Sequence, residues 1–276
     1  MSNLIQAPDL NVLLDDSSLR IIDTRFVLTD PEAGYKQYLE GHIPGALYVD
    51  LDKDLSVPAS EHGGRHPLPD MNDFASMLGK RGIANSNRII IYDDSSGVFA
   101  GRLWWMLNYA GHDKVQILDG GFSSWLEAGY PLSKEVPSFA ETSFALTLQT
   151  DMLVDAEYIK RNLDNPEVVL VDARSAERYR GDAEPMDKKA GHIPGAMNLP
   201  YGDNLEGKRY KSKAELAKRF EDLQNAEVIL YCGSGVSANH NLIAMEEVGI
   251  SAKLYIGSWS DWSSYEDNPI AVGENT

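Results

Sequence analysis

Gly41-His42-Ile43-Pro44-Gly45-Ala46 returns, residue for residue, as Gly191-His192-Ile193-Pro194-Gly195-Ala196, 150 positions later. The flanks repeat as well. Ile21-Ile22-Asp23-Thr24-Arg25 precedes the first copy, and Leu170-Val171-Asp172-Ala173-Arg174 precedes the second. Downstream, Arg88-Ile89-Ile90-Ile91-Tyr92-Asp93 is matched by Glu227-Val228-Ile229-Leu230-Tyr231-Cys232. Gly120-Gly121-Phe122-Ser123-Ser124-Trp125 is matched in turn by Gly257-Ser258-Trp259-Ser260-Asp261-Trp262. Features in the same order at so long a period mean one domain duplicated, not a solenoid of small stacked units.

Each half alternates short apolar runs with helical patterns. Leu19–Asp23, Arg88–Tyr92, Val168–Asp172 and Glu227–Tyr231 are continuous apolar runs of the kind buried on both faces of a parallel sheet. Residues 116–118 and 253–255 are further candidates. Helical patterns cover 71–80, 101–110, 214–223 and 236–248. Strands alternating with helices imply an α/β fold, each half a parallel sheet flanked by helices. Residues 131–150 are rich in Pro, Ser and Thr without periodicity and read as a linker. The expected domains are therefore 1–130 and 151–276.

The remaining arithmetic excludes whole classes. The chain has 276 residues, 43% of them apolar and 24% charged, enough for one or two buried cores. No apolar run is long enough for a transmembrane helix. The first residues lack a basic-then-apolar leader pattern. A net charge of −17 argues against nucleic acid or an anionic membrane as partner. The single cysteine, Cys232, allows no internal disulfide and no Cys-rich zinc site, which points to a reducing, cytoplasmic compartment. His62, His66, His112 and His240 show no ligand spacing, so neither a metal nor a cofactor is expected.

Cys232 follows a buried-type strand and opens Cys232-Gly233-Ser234-Gly235-Val236-Ser237-Ala238, after which a helical pattern begins. In such a strand–loop–helix, the glycines let successive N–H groups turn inward, and the helix dipole points at the same place. A sulfur at the base of that cradle has a lowered pKa, and a thiolate or persulfide there accepts several backbone hydrogen bonds. The equivalent loop of the first half begins with Asp93, so only the second half carries a thiol.

The duplicated box, the Cys232 loop and the late Gly257–Trp262 run resemble the tandem rhodanese-domain sulfurtransferases, and among them most the branch that uses 3-mercaptopyruvate. The resemblance spans about residues 12–270. It implies two rhodanese-like domains, a silent first one, and an active site between them. It also implies transfer of sulfane sulfur through a Cys232 persulfide, from a small donor (3-mercaptopyruvate or thiosulfate) to thioredoxin, a small thiol or cyanide. Thiosulfate users carry Arg and Lys after the cysteine, whereas mercaptopyruvate users carry Gly and Ser, as Gly233 and Ser234 do here. The loop residues Gly233, Gly235, Val236, Ser237 and Ala238 become substrate-binding by the same carry-over. Ser234 supplies a hydroxyl to the ketone or enolate oxygen.

Arg178 sits where the family places an arginine for the substrate carboxylate. A second arginine is expected after Glu184-Pro185, but Met186 stands there, with Lys188 and Lys189 as candidates to compensate. His42 is a candidate proton relay to Ser234, oriented by Asp30; a structural role for the box histidine is the alternative. Arg102 is either a substrate contact or a core residue. Three other functions remain to be weighed: a thiosulfate sulfurtransferase, a non-catalytic sulfur carrier and a Cys-based phosphatase. The last needs an arginine six residues after the cysteine, where Ala238 stands.

Overall fold

The computed structural model describes residues 2–274; Met1, Asn275 and Thr276 lie outside the described residues. The chain divides into two compact units, Met1–Val57 with Leu68–Gln149, and Pro58–Pro67 with Thr150–Thr276.

The first unit runs β1 (Leu4–Ile5), α1 (Ala7–Val12), β2 (Leu19–Asp23), α2 (Ala33–Glu40), β3 (Ala46–Tyr48), α3 (Met71–Lys80), β4 (Arg88–Tyr92), α4 (Val98–Tyr109), β5 (Val115–Leu118) and α5 (Gly121–Glu127). Its five strands are all parallel, in the order β1-β5-β4-β2-β3. The middle strands earn their place by composition: Ile22, Ile89, Ile90 and Ile91 are fully buried. Helix α3 begins at Asp70, whose carboxylate accepts the N–H groups of Asn72 and Asp73, and it buries Phe74 and Leu78 four residues apart. Trp104 and Trp105 are core residues of α4, as their helical pattern suggests.

The second unit repeats the plan with β6 (Leu153–Val154), α6 (Ala156–Asn162), β7 (Val168–Asp172), α7 (Ala176–Arg180) and β8 (Met197–Asn198). A hairpin without counterpart follows, β9 (Leu205–Glu206) and β10 (Arg209–Tyr210). Then come α8 (Lys213–Arg219), β11 (Glu227–Tyr231), α9 (Ala238–Glu246), β12 (Ala252–Tyr255) and α10 (Ser258–Trp262). The parallel sheet is ordered β6-β12-β11-β7-β8, matching the first strand for strand. From β7 the chain goes to β8 on one side and to β11 on the other. The crevice at the carboxyl ends of β7 and β11 is where open α/β sheets take their ligands, and Cys232 is the residue after β11.

The repeated box is a buckle. Arg25 pairs with Asp23 at 2.6 Å and donates to the Gly41 carbonyl. Arg174 pairs with Asp172 at 2.6 Å and donates to the Gly191 carbonyl. Tyr92 and Tyr231 each accept the N–H of the box isoleucine, Ile43 and Ile193, through their hydroxyls. Both tyrosines are buried, which holds their hydroxyls protonated.

The division differs from the expected one in two places. Residues 131–149 are not a free linker but a strap on the first unit. Ser133 exchanges backbone bonds with His42, Thr142 bonds Gly79, Thr147 bonds Ala110 and Gln149 bonds Tyr109. Backbone pairing satisfies this polar segment without any apolar period to betray it. In addition, ten residues inside the expected first domain, Pro58–Pro67, are part of the second unit.

Candidate active site

Loop 232–237 carries Cys232 from β11 into α9. Helix α9 starts at Ala238, two residues later than its apolar pattern suggests, where the Val236 N–H and the Ser237 hydroxyl serve the sulfur instead. Gly235 makes the bend at φ +71°, and a Cβ there would lie 2.2 Å from the Ile256 carbonyl oxygen, so no other residue fits. Asn239 donates to the carbonyls of Gly235 and Val236 and fixes the same bend. Trp259 and Ser260, at the start of α10, donate their N–H groups to the carbonyls of Cys232 and Gly233. Ser258, itself at φ +56°, accepts the Cys232 N–H through its hydroxyl at 3.1 Å.

The thiol is buried, with 1% of its surface exposed. Burial pushes its pKa up, but the Ser237 hydroxyl and the N–H groups of Ser234, Ala238 and Val236 outweigh this and bring it below the ordinary value. The equivalent loop of the first unit shows the same cradle already filled. The Asp93 carboxylate accepts the N–H groups of Ser95, Gly97, Phe99 and Ala100, all at 2.8–2.9 Å. The first three stand two, four and six residues after Asp93, as Ser234, Val236 and Ala238 do after Cys232. Burial nevertheless raises the Asp93 pKa.

Segment 58–67 brings two residues to this loop that sequence reading passed over. His66 Nδ1 lies 2.8 Å from Ser234 Oγ, and Ser234 is 6% exposed. Arg65 forms an ion pair with Asp187 and places its guanidinium beside Gly233. Arg178, in α7, arrives at the same place: a Cβ on Gly233 would meet Arg65 Nη2 at 2.9 Å and Arg178 Nη1 at 3.2 Å. Gly233 is thus needed for room, not for a positive φ. Arg178 is held by Glu184 at 2.8 Å and Asp187 at 3.2 Å. The clue available in sequence was Gly63-Gly64-Arg65-His66-Pro67, a non-periodic polar run of the sort that carries function on loops.

Other expected residues are placed elsewhere. His42 is fully buried, stacked on Tyr38, with Nδ1 2.7 Å from the Tyr38 carbonyl and Nε2 3.0 Å from the Glu135 carbonyl. Its ring therefore locks the box, as His192 does by stacking on Tyr179 and lying 2.7 Å from the Tyr179 carbonyl. The histidine that meets Ser234 is His66. Asp30 does not orient His42; it is exposed and accepts the Glu32 N–H ahead of α2. Arg102 is fully buried in α4 and donates to the Leu55 carbonyl, a core position. Lys189 donates to the Tyr265 carbonyl and Lys188 is exposed. Among the described residues, no group of three His, Cys, Asp or Glu side chains is arranged to hold a metal ion. No helix among the described residues is long and apolar enough to cross a membrane.

Comparison with known proteins agrees with the duplication. The Rhodanese-like domain matches residues 6–128 and again 155–265. A probable 3-mercaptopyruvate sulfurtransferase of Pseudomonas aeruginosa is 40% identical over 281 residues, covering 99% of both chains. A thiosulfate sulfurtransferase of Mus musculus is 34% identical over 258 residues, covering 89% of this chain and 85% of its own. The structure of a 3-mercaptopyruvate sulfurtransferase from Leishmania major superimposes with a TM-score of 0.83 at 29% identity, covering 98% of this chain and 76% of that one. With the domain present twice and relatives of this identity along its whole length, the chain belongs to the tandem rhodanese-domain family and is a sulfurtransferase.

Proposed function

We propose that the chain moves the sulfur of 3-mercaptopyruvate to a thiol or to cyanide through a persulfide on Cys232. The carrying observation is the lone thiol in a ring of N–H groups that lowers its pKa despite burial. The Cys232 thiolate attacks the donor sulfur, the S–C bond breaks, and its electron pair passes into the pyruvate enolate. The proton from the donor thiol ends on the enolate carbon, giving pyruvate. Ser234 donates its hydroxyl proton to the enolate oxygen as a hydrogen bond, and His66 holds that hydroxyl in line. The N–H ring then keeps the outer persulfide sulfur. An anionic oxygen of Asp93 and the outer sulfur of a Cys232 persulfide are each two bonds beyond Cβ, so the filled loop of the first unit supports the fit. An acceptor thiolate, of thioredoxin or a small thiol, takes the outer sulfur and Cys232 leaves as thiolate. A free thiol without a disulfide partner suits a reducing, cytoplasmic setting.

Thiosulfate is the second reading, favoured by the murine relative's name. Against it, Gly233 and Ser234 add no charge to the loop, and the nearby arginines are already balanced by Glu184 and Asp187. A dianion gains most from unbalanced cations. Two measurements test the reading. Incubation with mercaptopyruvate and no acceptor should raise the intact mass by about 32 Da per sulfur, and Cys232→Ser should abolish this. The ratio of kcat/KM for mercaptopyruvate over thiosulfate should exceed one; a ratio below one transfers the assignment to thiosulfate.

A further inference from the structure

Asp187 holds two guanidiniums at once. Its Oδ1 pairs with Arg65 Nη1 and its Oδ2 lies 3.2 Å from Arg178 Nη2. The bonds of Arg178 run through Nε and Nη2, leaving Nη1 turned to Gly233. Arg65 also presents Nη2 to Gly233, with the weakly accepting Met186 sulfur 4.0 Å away. The Arg65 Nε is buried with no acceptor among the described residues. Two donors from two different guanidiniums therefore converge over the residue that follows the nucleophile. Gly233 keeps the space beneath them open. A carboxylate has two oxygens to offer such a pair, and charge-assisted bonds of this kind are the strong ones.

We infer that Arg65 is a substrate-binding residue, supplying with Arg178 the paired guanidinium nitrogens that grip the carboxylate of the sulfur donor. Arg65 thereby does from segment 58–67 what an arginine at position 186 would do from the loop after Glu184. Asp187 sets the two guanidiniums at a fixed spacing before substrate arrives, which removes part of the ordering cost. Arg65, Met186 and Asp187 also line a cavity of about 740 Å³. The inference rests on the mercaptopyruvate reading above.

Steady-state kinetics on the full chain test it, with pyruvate inhibition as a readout of carboxylate binding that needs no turnover of pyruvate itself. Arg65→Gln should raise KM for mercaptopyruvate and the inhibition constant of pyruvate in parallel, each at least roughly tenfold, with kcat changed far less. The double variant Arg65→Gln with Met186→Arg should recover a large part of both, since it returns a guanidinium to the same spot from the other segment. Unchanged KM and unchanged pyruvate inhibition in Arg65→Gln overturn the inference. So does a fall in kcat that Met186→Arg does not relieve, which marks Arg65 as a prop for His66 and not a substrate contact. Wild-type protein that ignores mercaptopyruvate while accepting thiosulfate overturns the donor reading itself, a result seen before any variant is made.

Discussion

A thiol sealed from water resists ionisation, and Cys232 ionises early only because its neighbours hold out hydrogen-bond donors. Ser237 is the side chain in that set whose hydroxyl lowers the pKa, and the Ser258 hydroxyl lies 3.9 Å from the sulfur as well. Ser237→Ala should move the midpoint of iodoacetamide alkylation to higher pH, read from rate against pH. The sign of the stability effect follows from the same shift. The native thiol loses its proton at lower pH than the unfolded one, so the thiolate's contribution is complete above about pH 8.5 and is lost as pH falls through the native value. Gly233→Ala is a gentler probe. Its backbone is not in the left-handed region, and its new methyl meets the guanidinium ends of Arg65 and Arg178 at 2.9 and 3.2 Å, not backbone. Thermal stability should therefore stay within about 0.5 kcal/mol of wild type, while KM for mercaptopyruvate rises. Cys232 was legible in sequence because a strand, a glycine-bearing loop and a helix are local facts, whereas Arg178 was named only through the family resemblance. His66 and Arg65 were not, because nothing within a few residues of either shows that the chain will carry them to Ser234 and Gly233. The box histidine misled for the opposite reason. His42 lies in a conspicuous motif whose purpose, seen in its copy at His192, is to close the fold.

Strand, loop and helix together make the cradle, and each part has a testable tolerance. Gly235→Ala combines a positive φ with a methyl 2.2 Å from a backbone oxygen that cannot step aside. It should cost more than about 1 kcal/mol and abolish the lowered thiol pKa, measured by denaturant unfolding and by alkylation. In the first unit, Asp93→Asn trades an acceptor oxygen for an NH₂ that faces two backbone donors. A loss of about 1–3 kcal/mol is expected in unfolding, with kcat/KM within about twofold of wild type. The four longest strand runs were readable to the residue, since apolar stretches buried on both faces have few alternatives. Helix starts were less so: α4 begins at Val98 and α9 at Ala238, positions decided by which N–H groups the adjoining loop claims. The two-residue strands β1 and β6 carry too little sequence to announce themselves and exist by pairing with β5 and β12.

At the scale of the whole molecule, an anionic donor must approach a chain of net charge −17. The long-range field opposes encounter, while Arg65 and Arg178 act only at short range. Raising ionic strength from about 0.01 to 0.1 M shortens the Debye length from about 30 to about 10 Å. The expected result is a modest rise in kcat/KM for mercaptopyruvate over that range, provided encounter contributes to the rate. A steady fall would mean that the local cations govern approach. The two halves read as copies, and the copying is visible down to matched N–H positions around Asp93 and Cys232. Yet the inheritance is no longer separable. Ten residues encoded within the first copy, Pro58–Pro67, have been lent to the second, and with them go the histidine on Ser234 and a guanidinium over Gly233. A gene cut at residue 149 would deliver a nucleophile without its retinue. The second unit is discontinuous along the chain, so no single cut releases it whole.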